Sequence, residues 1–277
     1  MNCSSRCGAY AWENTDSLRL GNGELNNQAS FGRLNVQSRP AYLGVNAWAR
    51  ENAWAREAMD TPLIKICGIT NQDDARAAIE AGADMLGFNF YRPSPRFIEP
   101  KDAQAIIEIG QRVLEGSGRT VTMVGVFVNE SSPESVLEIA NEAGVDAIQL
   151  HGNESPEFCR QLRPLSGDRF VIKALRVADD GAVPDAGEYD VDAIMLDVLD
   201  ERVFGGTGRT IDWSIARRTR ELVPRLFLAG GLSPESVVDA INSVQPYAVD
   251  ACSALESSPG RKDALRMKAF VRAVHSG

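Results

Sequence analysis

Lys65 and Cys67 stand two residues apart in the stretch LIKICGIT at 63–70. In a β-strand that spacing puts the ammonium and the thiol on one face, with Ile64 and Ile66 on the other. A thiol titrates at about 8.5 when unperturbed, and lower beside a cation. Three further polar side chains close apolar runs in the same way. His151 shares a face with Gln149, Asp197 lies opposite Ile194 and Leu196, and Asp250 ends the run AVD. Arg96, in SPRF at 94–97, carries a guanidinium able to grip a carboxylate by two parallel hydrogen bonds. Two glycine-rich stretches, FGGTGRT at 204–210 and AGGL at 229–232, let backbone N–H groups approach an anion closely. They make Gly206, Thr207, Gly208, Gly230 and Gly231 candidate phosphate contacts. ACSALE at 251–256 supplies a short extra helix beginning near Ser253.

Each of these residues also has a purely structural reading. A lone buried cysteine is more often inert packing than a reagent. An inward lysine can simply pair with Asp197 or Asp250. His151 can be a hydrogen-bonded structural residue, Arg96 an ordinary exposed arginine, and the glycines plain turns. Cys159, inside a helical stretch, reads as core. Cys67 stands out because strand end, inward face, neighbouring cation and following glycine coincide.

These side chains need elements to position them. From residue 62 short apolar runs alternate with helical stretches. Strands are predicted at 63–67, 84–89, 121–128, 146–150, 170–175, 192–197, 226–229 and 247–250. Helices are predicted at 71–81, 101–114, 133–142, 155–163, 212–222, 233–243 and 261–274, with a short one near 179–186. Ser132-Pro133 and Ser233-Pro234 read as a cap followed by proline at the first helical position, and Gly82 and Gly144 as left-handed terminators. Eight strands alternating with helices in about 215 residues predict an α/β fold, a (β/α)8 TIM barrel. A doubly wound open sheet usually has fewer strands, and no GxGxxG follows the first strand. In the barrel Lys65, Cys67, His151, Asp197 and Asp250 point inward, at the carboxyl ends where such barrels carry their active sites.

Residues 1–61 differ from 62–277. They contain no lysine, show no sustained hydrophobic period, and end in a tandem repeat, NAWARE at 46–51 and 52–57. They read as an N-terminal extension that is disordered or precedes a true start at Met59. Acidic residues at 13, 16 and 24 weigh against a targeting peptide. The net charge of -9 argues against nucleic acid as a partner, while leaving room for a small anion in a local cationic pocket. No apolar run is long enough for a membrane span. Five scattered cysteines without CxxC or zinc spacing predict a reduced, cytoplasmic protein with no metal site.

KICGIT at 65–70, LGFNFYRPSPRFI at 86–98, GVFVN at 125–129, QLHGNE at 149–154, IKALRV at 172–177, LDV at 196–198, FGGTGRTIDW at 204–213 and LAGGL at 228–232 together resemble the phosphoribosylanthranilate isomerases of tryptophan biosynthesis. The resemblance covers residues 62–277. It implies a cofactor-free Amadori rearrangement of N-(5-phosphoribosyl)anthranilate to 1-(2-carboxyphenylamino)-1-deoxyribulose 5-phosphate. By that likeness Asp197 is the general acid at the furanose oxygen and Cys67 the general base at the sugar C2. Arg96 holds the anthranilate carboxylate, and the glycine loops bind the phosphate with Ser253 nearby. Lys65, His151 and Asp250 stand behind them. The implied partner is the small phosphoribosyl substrate, with monomer and homodimer both open. One stretch departs from the pattern: Cys252-Ser253-Ala254 stands where the family often carries Ser-Ser-Gly. The isomerase of histidine biosynthesis, with the same fold and two aspartates, and a non-catalytic phosphosugar-binding barrel are the alternatives. Cys67 argues against the first; Cys67, Asp197 and Arg96 together argue against the second.

Overall fold

The computed structural model describes residues 61–177, 183–197 and 213–277. The expectations for 1–60, for the first part of the stretch near 179–186, and for Gly206, Thr207 and Gly208 fall outside them.

Eight parallel strands close into a barrel in sequence order: β1 (Leu63–Cys67), β2 (Met85–Asn89), β3 (Thr122–Phe127), β4 (Ala147–Leu150), β5 (Phe170–Arg176), β6 (Ala193–Asp197), β7 (Leu226–Ala229) and β8 (Ala248–Ala251). Closure is made by β8 pairing with β1, Lys65 standing opposite Asp250. Seven α-helices lie among the described residues: α1 (Gln72–Ala81), α2 (Pro100–Leu114), α3 (Pro133–Ala143), α4 (Pro156–Leu165), α5 (Ser214–Leu222), α6 (Val237–Val244) and α7 (Ala264–Ser276).

The alternation of each strand divides the core in two. Ile64, Ile66, Ile148, Leu150, Ile194, Leu196 and Val249 join the helices' apolar faces in an outer layer. Leu63, Met85, Val124, Ala147, Ile172, Met195, Phe227 and Ala248 fill the barrel interior. Lys65, Cys67, Gln149, Asp197 and Asp250 share the parity of the inner set. The amino ends of the odd strands are tied by a repeated device. Asp84, Asp146 and Asp192, each just before an even strand, accept hydrogen bonds from Ile64 N, Met123 N and Val171 N at 2.9, 2.9 and 2.8 Å.

Helix ends follow the expected chemistry. Asn71 and Ser132 cap α1 and α3, Pro133 takes the first helical position, and Gly82 and Gly144 end these helices with φ of 111° and 71°. Two elements differ from the sequence reading. The helix expected from 233 starts as α-helix only at Val237. Residues 234–236 form a tighter turn, because the Ser233 hydroxyl accepts from Glu235 N while Ser233 N donates to the Ser236 hydroxyl. Near 179–186 the described residues 183–185 have no regular secondary structure, and a three-residue 3-10 turn follows at Ala186–Glu188, where Asp185 accepts from Gly187 N. The short helix expected after β8 exists as a 3-10 turn, Ser253–Leu255, before an antiparallel ribbon of Glu256–Ser258 and Arg261–Lys262. Ala254 sits in that turn without left-handed backbone, so it keeps the normal φ that its side chain requires.

Candidate active site

Two polar clusters occupy the carboxyl end of the barrel. The first gathers around β1 and β8. Lys65 is wholly buried and donates to Asp250 Oδ1 at 2.6 Å across the closing pair of strands. Of the two partners the sequence left open for Lys65, the fold chooses Asp250. Burial acts against the Lys65 ammonium, but Asp250 and Cys67 hold it above the ordinary lysine value. Burial pushes the Asp250 carboxyl up to about 6, with the Cys67 charge adding and Lys65 opposing. A buried pair of this kind is costly to break, because removing one partner strands the other charge. Lys65→Met should therefore lower unfolding free energy by about 3–5 kcal/mol in denaturant titrations, and Lys65→Met with Asp250→Leu should regain most of it. A single variant as stable as the parent would mean that the pair is not ionised.

Cys67 ends β1 beside this pair. A hydrogen bond from Cys252 and the cations Lys65 and Lys262 hold its thiol well below the ordinary thiol value, against the effect of burial. The thiol packs against β2: a Cβ added to Gly87 would lie 2.7 Å from Cys67 Sγ. Gly68 follows with φ 79°, and its amide and that of Ile69 both donate to Gly87 O at 2.9 Å. This turn needs a left-handed residue. A Cβ there would also meet Arg96 Cδ at 2.8 Å and Cys252 Sγ at 3.1 Å.

Arg96 crosses over that glycine from the loop after β2. The two-pronged grip expected of it exists, with a protein partner: Nε and Nη2 donate to the Glu256 carboxylate at 2.8 and 2.7 Å. That contact raises the Arg96 pKa further, so the guanidinium is a permanent charge. Against the cost of burial, Arg96 and Lys262 hold the Glu256 carboxyl below its usual value. Lys262, also buried, donates to Glu256 Oε1 at 3.0 Å and to Cys252 O at 3.1 Å.

The second cluster lies across the mouth, around β4 and β6. Gln149 Nε2 is 2.7 Å from His151 Nδ1. The Gln149 amide and the ring form one hydrogen bond whose direction follows the imidazole tautomer, and the other ring nitrogen is Nε2. That nitrogen faces Asp197 Oδ2 at 3.6 Å, too long for a hydrogen bond but close enough for charge to be felt. His151 and Asp197 line a cleft of about 670 Å³, together with Asn89, Asn129, Arg176 and Tyr189. Its floor is held by Lys173, which donates to Gly152 O and Glu154 Oε2, both at 2.7 Å.

The fold thus brings Cys67, Lys65, Asp250 and Arg96 together, and separately His151 with Asp197. Cys67 is not among the residues on the cleft wall. The clusters meet electrostatically at Asp250, which feels both Cys67 and His151. In the ring β6 is reached from β1 through β8 and β7, so their inner faces look across the barrel. Gly230 and Gly231 follow β7 directly, with φ of 105° and 65°, a double left-handed turn that only glycine adopts easily. Ser253 is exposed at the start of the 3-10 turn after β8.

Several participants were not singled out from the sequence: Glu256, Lys262, Asn89, Asn129 and Arg176, while Cys252 was marked only as a departure from the family pattern. Arg176 was the most accessible to reasoning, since it ends β5 at the parity of Ile172 and Ala174.

The profile of the N-(5'-phosphoribosyl)anthranilate (PRA) isomerase family matches residues 64–273. The N-(5'-phosphoribosyl)anthranilate isomerase of Trichlorobacter lovleyi is 42% identical over 209 residues, 76% of this chain and 96% of that protein. The crystal structure of phosphoribosyl anthranilate isomerase from Thermotoga maritima aligns with a TM-score of 0.65 and 39% identity, over 78% of this chain and all of that one. A phosphoribosyl anthranilate isomerase in complex with reduced 1-(o-carboxyphenylamino)-1-deoxyribulose 5-phosphate aligns at 0.62 with 37% identity, over 78% of this chain and 100% of that one. Barrel and relatives agree, and the chain belongs to the N-(5'-phosphoribosyl)anthranilate isomerase family.

Proposed function

We propose that the reaction of this family, the Amadori rearrangement of N-(5'-phosphoribosyl)anthranilate in tryptophan biosynthesis, is run here by Cys67 as general base and Asp197 as general acid. Asp197 protonates the furanose ring oxygen, and the ring opens to a protonated Schiff base. The Cys67 thiolate then takes the proton from the sugar C2, and the electron pair neutralises the imine. The resulting enolamine tautomerises to the ketone. No cofactor is needed, because the iminium itself is the electron sink.

The observation that carries this reading is the thiol at the inner end of β1, held below its ordinary pKa by Cys252, Lys65 and Lys262. Such a group reaches its basic form at a lower pH than an ordinary thiol does. Arg96 supports the placement of the anthranilate carboxylate. Glu256 occupies its Nε edge and leaves the outer N–H groups for a second carboxylate. The phosphate is assigned to Gly230, Gly231 and Ser253, together with the glycine stretch at 206–208. That is the place, after the later strands, where such barrels bind phosphate.

The fluorescence of freshly generated phosphoribosylanthranilate should decay when the protein is added, while the phosphosugar substrate of histidine biosynthesis is left unchanged. Turnover of the histidine-pathway substrate alone would favour the related isomerase. Binding of the product analogue without turnover of either compound would favour a non-catalytic barrel.

A further inference from the structure

Glu256 opens the antiparallel ribbon after β8, and its carboxylate takes one whole edge of the Arg96 fork: Nε donates to Oε1 at 2.8 Å and Nη2 to Oε2 at 2.7 Å. We propose that Glu256 is a positioning residue for substrate recognition. It fixes the Arg96 guanidinium so that the edge built from Nη1 and Nη2 is left for the carboxylate on the substrate's aromatic ring. It thereby sets the preference for a carboxylated ring over a neutral one. This rests on the reading of Arg96 as the clamp of the anthranilate carboxylate.

An arginine side chain is long, and immobilising it on a ligand costs rotamer freedom. Here that cost is met when the chain folds. The Arg96 stem lies over Gly68, where an added Cβ would come within 2.8 Å of Cδ and 3.4 Å of Cγ. The head is held by a carboxylate that is itself fixed. Glu256 Oε1 also accepts from Lys262 Nζ at 3.0 Å, and Lys262 donates from its backbone N to Asp74 Oδ2 at 2.8 Å. The turn of the ribbon is tied to the loop after β1, since Thr70 Oγ1 donates to Gly260 O at 2.6 Å. It also lies against the loop that carries Arg96: a Cβ on Gly260 would approach Pro95 O to 3.1 Å. Exposure separates the roles. The Glu256 and Lys262 side chains are 5% and 0% exposed and that of Arg96 23%, so the guanidinium is the member of the three that a solute can reach. Charge agrees. Two cations and one carboxylate leave the cluster with a net positive charge, whereas the Arg96–Glu256 pair without Lys262 would be neutral and attract an anion poorly. The fork geometry decides the class of ligand. Glu256 uses Nε and one N–H of Nη2, which leaves both N–H groups of Nη1 and the other of Nη2. A planar carboxylate fits that edge by two parallel bonds.

The test compares, by calorimetry, the binding of two product analogues: reduced 1-(o-carboxyphenylamino)-1-deoxyribulose 5-phosphate and the same compound without its carboxylate. Glu256→Gln sets an amide NH2 against one N–H of the fork, so the guanidinium turns away. Affinity for the carboxylated analogue should fall about 10- to 100-fold, the worth of hydrogen bonds to a charged group. Affinity for the analogue without the carboxylate should stay as in the parent. In turnover the loss should fall on KM more than on kcat, as when binding common to ground and transition states is removed. Equal weakening of both analogues in the folded variant would reduce Glu256 to a structural tie and overturn the proposal, and so would unchanged binding of both. If the glutamine variant does not fold, Glu256→Asp takes its place in the same comparison. It keeps the charge beside Lys262 and withdraws the carboxylate from Arg96 by one methylene. Failure of the Arg96 reading shows separately, as an Arg96→Ala variant that keeps the parent's preference between the two analogues.

Discussion

Cys67→Ser should lower kcat by about 10²–10⁴-fold, the range that a positioned general base contributes. The change is nearly isosteric and shrinks the side chain, so the close approach of β2 at Gly87 is not disturbed. What is lost is a group able to be anionic at neutral pH. A serine hydroxyl beside the same cations stays protonated. Steady-state kinetics should show KM within a few-fold of the parent, because neither Arg96 nor the phosphate contacts are touched. The pH profile should change in kind. In the parent the rate falls as pH drops through the Cys67 value, since the base is then protonated. That limb begins lower than an ordinary thiol would allow, because Cys67 is held down by Cys252, Lys65 and Lys262. In the variant the limb disappears. A loss below tenfold would remove Cys67 from the mechanism and leave it a packing residue.

Asp197→Asn should be as severe, with turnover lost to the detection limit and product-analogue binding largely kept. The amide has the shape of the carboxyl and can still hydrogen-bond, but it has no proton to give the ring oxygen. The two variants slow successive proton transfers of one reaction, and the slower step sets the rate, so the double variant should lose little more than the worse single one. His151 faces Asp197 Oδ2 with its Nε2 at 3.6 Å and borders the same cleft. In the Asp197→Asn variant that carboxylate partner is gone, and binding measured by calorimetry should weaken by no more than a few-fold. Retained kcat would end the assignment of Asp197 as acid.

Both expectations rest on residues that the sequence alone can place. The strand period puts Lys65, Cys67, Asp197 and Asp250 on inner faces, because apolar neighbours at every second position leave the other face no choice. The count of alternating elements points to the barrel, and proline, serine and glycine mark most helix ends. The same signals place the helix after β7 too early, since Ser233-Pro234 is equally a signal for the tight turn that occupies 234–236. Arg96 is legible as a carboxylate clamp, but not that Glu256 already sits in it.

By itself, then, the amino-acid order determined the local period, the parity of each strand and the kinds of chemistry available at the strand ends. Those are set by neighbours a few positions away. Only the closed barrel decided which groups meet. It chose Asp250 as partner of Lys65, put Cys252 over Gly68 beside the end of β1, and joined Arg96, Glu256 and Lys262 in one network. These contacts link β1, the β2 loop and the ribbon after β8. Closure of β8 onto β1 brings the chain's two ends of the barrel together, and no local pattern carries the register in which they meet.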